Sequence, residues 1–279
     1  MQFIHSLFQQ LLLQSSKPKH HVTGKVLVAY NILTMEEIEL SVVIPAYNEE
    51  HSLNATVKEI SAYLTGQNLS HEIIIVDDGS TDATLSVAHK LSKELYTLRI
   101  CSYIPNRGKG SAVRTGMLAA KGRHILFTDA DNSTPIQELP AFLAALDNGF
   151  EVAIASRSIT GAVRVVHQPF YREIGGKGLN LFIRLFAVPG IKDTQCGFKL
   201  FTREAARTIF PLCFIDRWSF DVETLYLARR LGYKIAELPV RWTHHGGSRV
   251  HPLRDGLRVI ADVVRIRLHH YSIPKRGQE

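Results

Sequence analysis

From residue 39 onward, short apolar runs alternate with longer segments whose apolar residues recur at helical spacing. Continuous apolar runs of this length are typical of strands in a parallel sheet that is covered on both faces. The pattern predicts strands at 40–45, 72–78, 97–103, 124–130, 150–156, 198–201 and 234–240. It predicts helices at 49–65, 82–95, 109–120, 136–147, 179–187 and 219–231. The predicted fold class is therefore α/β, with a single Rossmann-like, mostly parallel sheet flanked by helices.

The two ends of the chain have patterns of their own. In 253–271, apolar residues recur at steps of three and four, which predicts a terminal amphipathic helix. Its apolar positions are Leu253, Leu257, Ile260, Val264, Leu268 and Tyr271. Residues 1–35 are predicted to form a leader that is either poorly ordered or an interfacial helix. Because no linker interrupts the rest, we predict one domain over 36–279.

Composition and charge narrow the class of protein. A chain with 45% hydrophobic and 21% charged residues is neither disordered nor collagen-like. The net charge of +7 is concentrated near the two ends, which favours contact with an anionic surface. Nucleic acid is not the expected partner, because no basic–aromatic interleaving or known reader motif is present. Three cysteines without CxxC spacing argue against a disulfide framework or zinc site and favour a cytoplasmic protein.

Polar clusters follow three of the predicted strands, where ligands of parallel sheets bind. They are Tyr47-Asn48-Glu49, Asp77-Asp78-Gly79-Ser80 and Asp129-Ala130-Asp131. Two carboxylates spaced like Asp129 and Asp131 can converge on one Mg²⁺ or Mn²⁺ ion and leave its other positions to diphosphate oxygens. A dinucleotide-binding unit is excluded, because PAYNEE stands where GxGxxG is required. A P-loop is excluded as well, because Tyr103 replaces its first glycine.

Four motifs in order resemble the family 2 glycosyltransferases of the GT-A fold. They are VVIPAYNEE (42–50), IVDDGSTD (75–82), NRGKGSAVRTG (106–116) and TDAD (128–131). Later segments resemble the polyprenyl-phosphate members of that family, which include mannose synthases, and most of all the dolichyl-phosphate β-glucosyltransferases. These segments are ASRS (155–158), KDTQCGFKLF (192–201), RWSFDVETLYLARRLGY (217–233), ELPVRW (237–242) and GSRV (247–250). The resemblance implies a nucleotide-sugar half at about 39–133, an acceptor half at about 134–252 and a basic amphipathic helix at 253–271.

The resemblance also implies roles for residues of the first half. Those expected to bind the nucleotide-sugar are Pro45, Tyr47, Glu49, Asp77, Asp78, Lys109 and Asp129. Lys109 is expected to face the diphosphate, and its place where a helix opens independently favours an anion there. Asp129 and Asp131 are expected to bind Mg²⁺ or Mn²⁺. Ser133 stands where related mannosyl enzymes often carry Gln, so we do not expect a third protein ligand.

The acceptor determines the chemistry of the second half. A phosphate monoester has a second pKa of about 6 and is largely dianionic at neutral pH, so it needs cations rather than a general base. The candidates for binding this phosphate are Arg157, Arg172 and Arg249, because guanidinium groups pair bidentately with phosphate oxygens. Asp131 and Asp221 are the candidate catalytic residues, and Asp221 is expected to act either as a base or in orienting the sugar.

We therefore expect an inverting, metal-dependent transfer of a hexose, most simply glucose from UDP-glucose, to a polyprenyl or dolichyl phosphate. The lipid acceptor implies peripheral attachment at the cytosolic membrane face, by helix 253–271 unless that helix packs on the domain instead. Three alternatives stay open: a GDP-mannose-dependent enzyme, an enzyme acting on a soluble sugar, and a catalytically silent nucleotide-sugar-binding module. We interpret Trp218 as a core residue and His269 and His270 as surface residues.

Overall fold

The computed structural model describes residues 37–164, 182–243 and 252–273. The predicted leader and the candidate residues Arg172 and Arg249 lie outside these ranges. The strands of the main sheet are β1 (Leu40–Ala46), β2 (His71–Asp77), β3 (Leu98–Ser102), β4 (His124–Thr128), β5 (Val152–Ser156), β7 (Phe198–Thr202) and β8 (Ile235–Pro239). The short strands β6 (Val163–Arg164) and β9 (Arg241–Trp242) pair with each other.

Seven α-helices are defined among the described residues. They are α1 (Leu53–Gly66), α2 (Thr84–Glu94), α3 (Lys109–Ala119), α4 (Leu139–Asp147), α5 (Arg203–Ile209), α6 (Phe220–Arg230) and α7 (Pro252–His269). Residues 182–186 form one further helical turn. Single 3₁₀ turns lie at Ile136–Glu138 and Phe210–Leu212. The predicted alternation of strands and helices is confirmed, although α1 begins four residues later than predicted and β4 ends two residues earlier. Helix α5 and the short strands β6 and β9 were not predicted.

The main sheet has the strand order β3-β2-β1-β4-β7-β5-β8. Its strands run parallel except for β7, which is antiparallel to both of its neighbours. Every residue of β1 is buried, as expected for a central strand covered on both faces. Alternate residues point to opposite faces, so Val42 and Ile44 belong to the apolar cluster that includes residues of α1, α2 and α4. Val43 belongs to the cluster on the other face, which includes residues of α3, α5, α6 and α7. The result is a three-layer α/β/α arrangement.

Because β7 runs in the opposite direction, it begins at the end of the sheet where β1, β2 and β4 finish. Phe198, the first residue of β7, pairs with Thr128, the last residue of β4. The residue before β7 therefore lies beside the residue after β4, and the N–H of Asp129 donates to the carbonyl of Gly197 at 3.1 Å. This register brings Gly197, the last residue before β7, beside Asp129, one of the two aspartates predicted to bind metal. No helix in the described part of the chain has the length and apolar character that crossing a bilayer requires.

Candidate active site

The loop after β4, which carries both aspartates, is held by hydrogen bonds from α1 and from within the loop. Thr56 of α1 donates its hydroxyl to the carbonyl of Ala130 at 2.8 Å, which ties the loop to the first helix. The backbone N–H of Ser133 donates to Oδ1 of Asp131 at 2.9 Å. The carboxylate of Asp131 therefore shapes the loop locally, whereas the carboxylate of Asp129 lies beside Gly197 and Lys109.

The carboxylate of Asp129 lies between a glycine and a lysine. A Cβ atom built on Gly197 would lie 2.0 Å from Oδ2 of Asp129, so only glycine leaves room for the carboxylate. On its other side, Nζ of Lys109 lies 2.5 Å from Oδ1 of Asp129. Burial alone would lower the pKa of Lys109, but attraction to Asp129 and Asp221 outweighs it and raises this pKa. Lys109 therefore stays charged at the first position of α3.

The residues at this position fit a divalent metal ion. Oδ1 of Asp129 is buried and, apart from its ion pair with Lys109, has no hydrogen-bond partner among the described residues. Within the described ranges no group of three His, Cys, Asp or Glu residues is arranged to hold a metal. Two carboxylates suit Mg²⁺ or Mn²⁺, which readily keep water and substrate phosphate as their other ligands. These two carboxylates therefore suit a cation that takes its remaining ligands from water or from a substrate phosphate.

Asp78 organises the loop that precedes α3. Its Oδ1 accepts from the N–H of Arg107 at 2.9 Å, and its Oδ2 accepts from the N–H of Gly108 at 2.8 Å. The side-chain amide of Asn106 donates to Oδ2 of Asp78 at 2.7 Å as well. Asp78 is almost fully buried by these contacts. Its carboxylate therefore fixes the start of α3, and with it Lys109, rather than facing solvent.

The remaining candidates of the first half lie on two loops that are bonded to each other. The N–H of Glu49, after β1, donates to the hydroxyl of Thr84 at 2.7 Å, at the start of α2. Pro45 lies within β1 opposite Val76 of β2, and Asp77 ends that second strand. Asp77 is buried and accepts from the N–H of Ser80 at 3.3 Å.

Tyr47 follows Pro45 into the same loop and is half-buried. These five candidates, Pro45, Tyr47, Glu49, Asp77 and Asp78, therefore lie near the C-terminal ends of the parallel strands, where Asp129 also lies. Their roles toward the base and ribose stay predictions.

Lys199, in β7, is a functional candidate that the sequence analysis missed. Its side chain is fully buried and donates from Nζ to Oδ1 of Asp221 and to the carbonyl of Cys196, the latter at 2.7 Å. Burial raises the pKa of the Asp221 carboxyl, and the ammonium groups of Lys199 and Lys109 oppose that rise. The signal available in the sequence was a lysine inside the apolar strand FKLF, where a charge needs a buried partner.

Asp221 itself lies at the start of α6, in the first helical turn. Its carboxylate contributes to the raised pKa of Lys109, as do those of Asp129 and Asp131. The structure therefore brings Asp221 into the same cluster of charges as the two aspartates after β4. Asp221 and Glu223 point in different directions, as predicted, because Glu223 bonds to His270 instead.

The segment before α6 covers the start of α3. Gly108 has a φ of +113°, and a Cβ at this position would lie 2.5 Å from the carbonyl oxygen of Asp216. Trp218, in the same segment, was predicted to be a core residue, but it is 46% exposed. Its ring centroid lies 5.5 Å from Nζ of Lys109. The prediction was wrong because this segment lies on the surface beside Lys109 and not in the core.

The prediction that both C-terminal histidines are surface residues was also wrong. His269 is exposed, but His270 is buried and its Nε2 lies 2.8 Å from Oε1 of Glu223. Glu223 also accepts from the N–H groups of Phe214 and Ile215. The pair therefore joins the C-terminal end of α7 to the segment that covers α3.

Arg157, the described candidate for binding the acceptor phosphate, is paired with Asp193. Its Nε donates to Oδ2 of Asp193 at 2.7 Å and its second terminal nitrogen donates to Oδ1 at 2.9 Å. Burial would raise the pKa of Asp193, but the guanidinium of Arg157 outweighs it and lowers this pKa. Asp129 contributes to the raised pKa of Arg157, so the Arg157–Asp193 pair belongs to the same electrostatic cluster.

Comparison with known proteins identifies relatives over most of the chain. A model described as glycosyl transferase family 2 matches residues 41–210. The dolichyl-phosphate beta-glucosyltransferase of Drosophila melanogaster is 43% identical over 244 residues, which cover 82% of this chain and 74% of that protein. The Saccharomyces cerevisiae protein of the same name is 37% identical over 251 residues, covering 84% of this chain and 75% of that one.

Among solved structures, the chain is similar to glucosyl-3-phosphoglycerate synthase of Mycobacterium tuberculosis. The structure of that protein in complex with Mn²⁺, uridine diphosphate and phosphoglyceric acid has a TM-score of 0.60 at 24% identity. The match covers 86% of this chain and 80% of that one. At this identity the likeness concerns the fold, and it confirms the predicted fold class.

Proposed function

Because the chain belongs to glycosyltransferase family 2, we propose that it transfers glucose from UDP-glucose to a dolichyl or polyprenyl phosphate. The observation that carries this proposal is the extent of its similarity to named dolichyl-phosphate beta-glucosyltransferases. The family model ends at residue 210, but the similarity covers 82–84% of the chain at 37–43% identity. It therefore includes residues of the acceptor half as well as the donor half.

The donor would be held at the edge of the sheet formed by the ends of β1, β2 and β4. Asp129 and Asp131 would bind Mg²⁺ or Mn²⁺ together with the diphosphate. When bound, this cation stabilises the negative charge of the departing nucleoside diphosphate. Lys109 contributes a positive charge at the first position of α3, where the helix N-terminus also favours an anion.

The acceptor phosphate would attack the anomeric carbon directly. Its oxygen forms the new bond to that carbon while the bond to the β-phosphate oxygen breaks, and UDP leaves with the electron pair. Glucose is α-linked in UDP-glucose, so one in-line displacement gives the β-linked product. Because the phosphate is already dianionic at neutral pH, no group of the protein needs to remove a proton from it.

The residues of the second half would then act by charge and position. Arg157 is oriented by both oxygens of Asp193, which fixes the plane of its guanidinium beside the cluster. Asp221 is held by Lys199, which suits a group that orients the sugar. The other two candidates for the acceptor phosphate, Arg172 and Arg249, lie outside the described residues.

A lipid-linked acceptor requires the enzyme to work at a membrane. The hydrocarbon tail of dolichyl phosphate stays in the bilayer, so only its phosphate reaches the site. We place the reaction at the cytosolic membrane face, with the protein attached peripherally and its attachment weakened by salt.

A donor screen tests the proposed function. UDP-glucose, UDP-galactose, UDP-N-acetylglucosamine and GDP-mannose, each labelled in the sugar, are offered with a short-chain prenyl phosphate and Mg²⁺ or Mn²⁺. We expect label from UDP-glucose to enter the organic phase as a prenyl-phosphate sugar. Transfer from GDP-mannose alone would contradict the proposed donor, and label that stays in water-soluble products would contradict the lipid acceptor.

A further inference from the structure

Helix α7 has two apolar faces, of which only one packs on the domain. Val259, Val263 and Ile266 are at most 4% exposed and belong to the core beneath α6. Hydrogen bonds reinforce this packing, since Ser219 donates its hydroxyl to Oδ2 of Asp262 at 2.7 Å. The buried face therefore accounts for the attachment of α7 to the domain.

The second apolar face is exposed, and it is the one that the sequence pattern singled out. We call it the α7 stripe; its exposed fractions are 38% for Ile260, 49% for Val264, 73% for Leu268 and 78% for Tyr271. Ile260, Val264 and Leu268 are spaced by four residues and therefore lie on one side of α7, and Tyr271 follows in the turn after the helix. The stripe thus presents four large apolar side chains to the outside, in addition to those needed for packing.

A neighbouring segment extends this apolar surface. Leu185 and Phe186 are 64% and 48% exposed. The guanidinium of Arg267 in α7 donates to the carbonyl of Phe186, which holds the two segments side by side. Several large exposed apolar side chains on neighbouring segments are typical of a surface that interacts with a protein or a membrane.

Arginines flank the stripe on both sides. An α-helix turns by about 100° per residue, so Arg267 lies to one side of Leu268 and Arg265 lies to the opposite side of Val264. Both arginines are exposed on the described surface, although Arg265 also pairs with Asp262 at 3.2 Å. An apolar stripe between cationic side chains complements a lipid bilayer, whose acyl chains lie beneath anionic headgroups.

Helix α7, which bears the stripe, contacts the segment beside the candidate active site. Ser219, the partner of Asp262, precedes α6, whose first turn contains Asp221. Trp218, beside Ser219, has its ring 5.5 Å from Nζ of Lys109. A bilayer in contact with α7 would therefore lie near the end of the sheet where the donor is proposed to bind.

We propose that the α7 stripe, together with Leu185 and Phe186, enters the interfacial layer of an anionic phospholipid bilayer. This inference rests on the proposed function, which supplies the reason for membrane contact. The arginine flanks favour this partner over a second copy of the chain, because two such surfaces would bring arginines against arginines.

Quenching by brominated lipids tests the inference locally. Leu268→Trp and the control Tyr96→Trp are compared with the full-length wild-type chain, whose Trp218 and Trp242 provide the background emission. Tyr96 is 98% exposed and lies before β3, at the N-terminal ends of the parallel strands, whereas the candidate active site lies at their C-terminal ends. With vesicles of phosphatidylcholine and phosphatidylserine that carry bromine on their acyl chains, we expect the added emission of Leu268→Trp to fall by about half. The added emission of Tyr96→Trp should not change.

Binding to the same vesicles without bromine provides a second measurement. In a sedimentation assay, the double variant Val264→Glu/Leu268→Glu should bind about tenfold more weakly than wild type, because it places two carboxylates in the acyl region. Tyr96→Glu should bind like wild type. Circular dichroism confirms that each variant is folded.

The inference is overturned if bromine does not quench the added emission of Leu268→Trp, or if the double variant binds vesicles as strongly as wild type does. It is also overturned if wild type forms a concentration-dependent dimer that the double variant does not form. Failure of the proposed function is seen separately. If wild type transfers no glucose to a water-soluble short-chain prenyl phosphate without vesicles, that function fails whatever the quenching result.

Discussion

The carboxylate of Asp129 rests directly against the backbone of Gly197. A Cβ atom at position 197 would lie 2.0 Å from Oδ2, closer than real Cβ atoms approach any neighbour. The contact exists because β7 runs antiparallel to β4, so the residue before one strand meets the residue after the other. A glycine in the acceptor half thus fixes the place of a carboxylate that we assign to the donor half.

Substitution Gly197→Ala should displace the Asp129 carboxylate and lower transferase activity by at least about tenfold. The added methyl cannot share space with Oδ2, and small displacements of catalytic groups are costly. The measurement is kcat/KM for UDP-glucose with saturating Mn²⁺. The matched control is Gly66→Ala, since a Cβ at the end of α1 meets nothing within 4 Å. Activity of Gly197→Ala within twofold of wild type would contradict the assigned role of this contact.

Substitution Lys199→Met should destabilise the fold, because it leaves the carboxylate of Asp221 buried without its cation. Breaking a buried ion pair from one side costs about 3–5 kcal/mol of unfolding free energy. The double variant Lys199→Met/Asp221→Asn should recover part of this loss, since no charge is then left unpaired. Urea unfolding measures the free energy of unfolding of the single and the double variant. A double variant less stable than the single one would show that the two side chains do not act as a pair.

Substitution Asp193→Asn should lower stability at neutral pH and matter less in acid. The pKa of Asp193 is lowered from its ordinary value of 3.8 by Arg157, so its contribution is complete above that pH and is lost as pH falls below it. The gap in unfolding free energy between wild type and Asp193→Asn should narrow by about 1 kcal/mol between pH 7 and pH 3. The control is Asp147→Asn, on the exposed end of α4. A gap that widens toward pH 3 would refute the assignment.

Substitution Asp221→Asn distinguishes the two classes of acceptor. A dianionic phosphate needs no base, so its glucosylation should slow by less than about tenfold. A hydroxyl acceptor would need Asp221 as the base, and its loss would cost about 10²–10⁴-fold. Single-turnover rates with short-chain prenyl phosphate measure the effect on the chemical step, and circular dichroism checks folding. A loss in the larger range would favour a soluble sugar as the acceptor.

Much of the donor half could be predicted from the sequence, because its information is local. Apolar runs set the strands β1, β2 and β4, and polar residues directly after each run had to meet at one edge of a parallel sheet. Position directly after a predicted strand was therefore enough to place Asp77 and Asp129 at this end of the sheet, whereas the roles of Asp77 and Lys109 came from the family resemblance.

The acceptor half depends on contacts between residues far apart in sequence, which periodicity does not reveal. The reversed direction of β7 determines the meeting of Gly197 with Asp129, and no local pattern specifies that direction. Likewise, Lys199 and His270 lie in the interior because each is paired there with a buried carboxylate, Lys199 with Asp221 and His270 with Glu223. Helix α7 was predicted as one apolar stripe, but the domain covers a second row of apolar residues and leaves the predicted one exposed where it is described.

The most direct test of the account is calorimetric titration of UDP-glucose into the protein with Mn²⁺ and with EDTA. For wild type and the control Asp147→Asn, we predict binding that is about 10- to 100-fold tighter with Mn²⁺, because Asp129 and Asp131 hold the cation against the diphosphate. For Asp129→Asn and Asp131→Asn, we predict weak binding that Mn²⁺ changes little. Binding by both variants that strengthens with Mn²⁺ as it does in wild type would contradict the account.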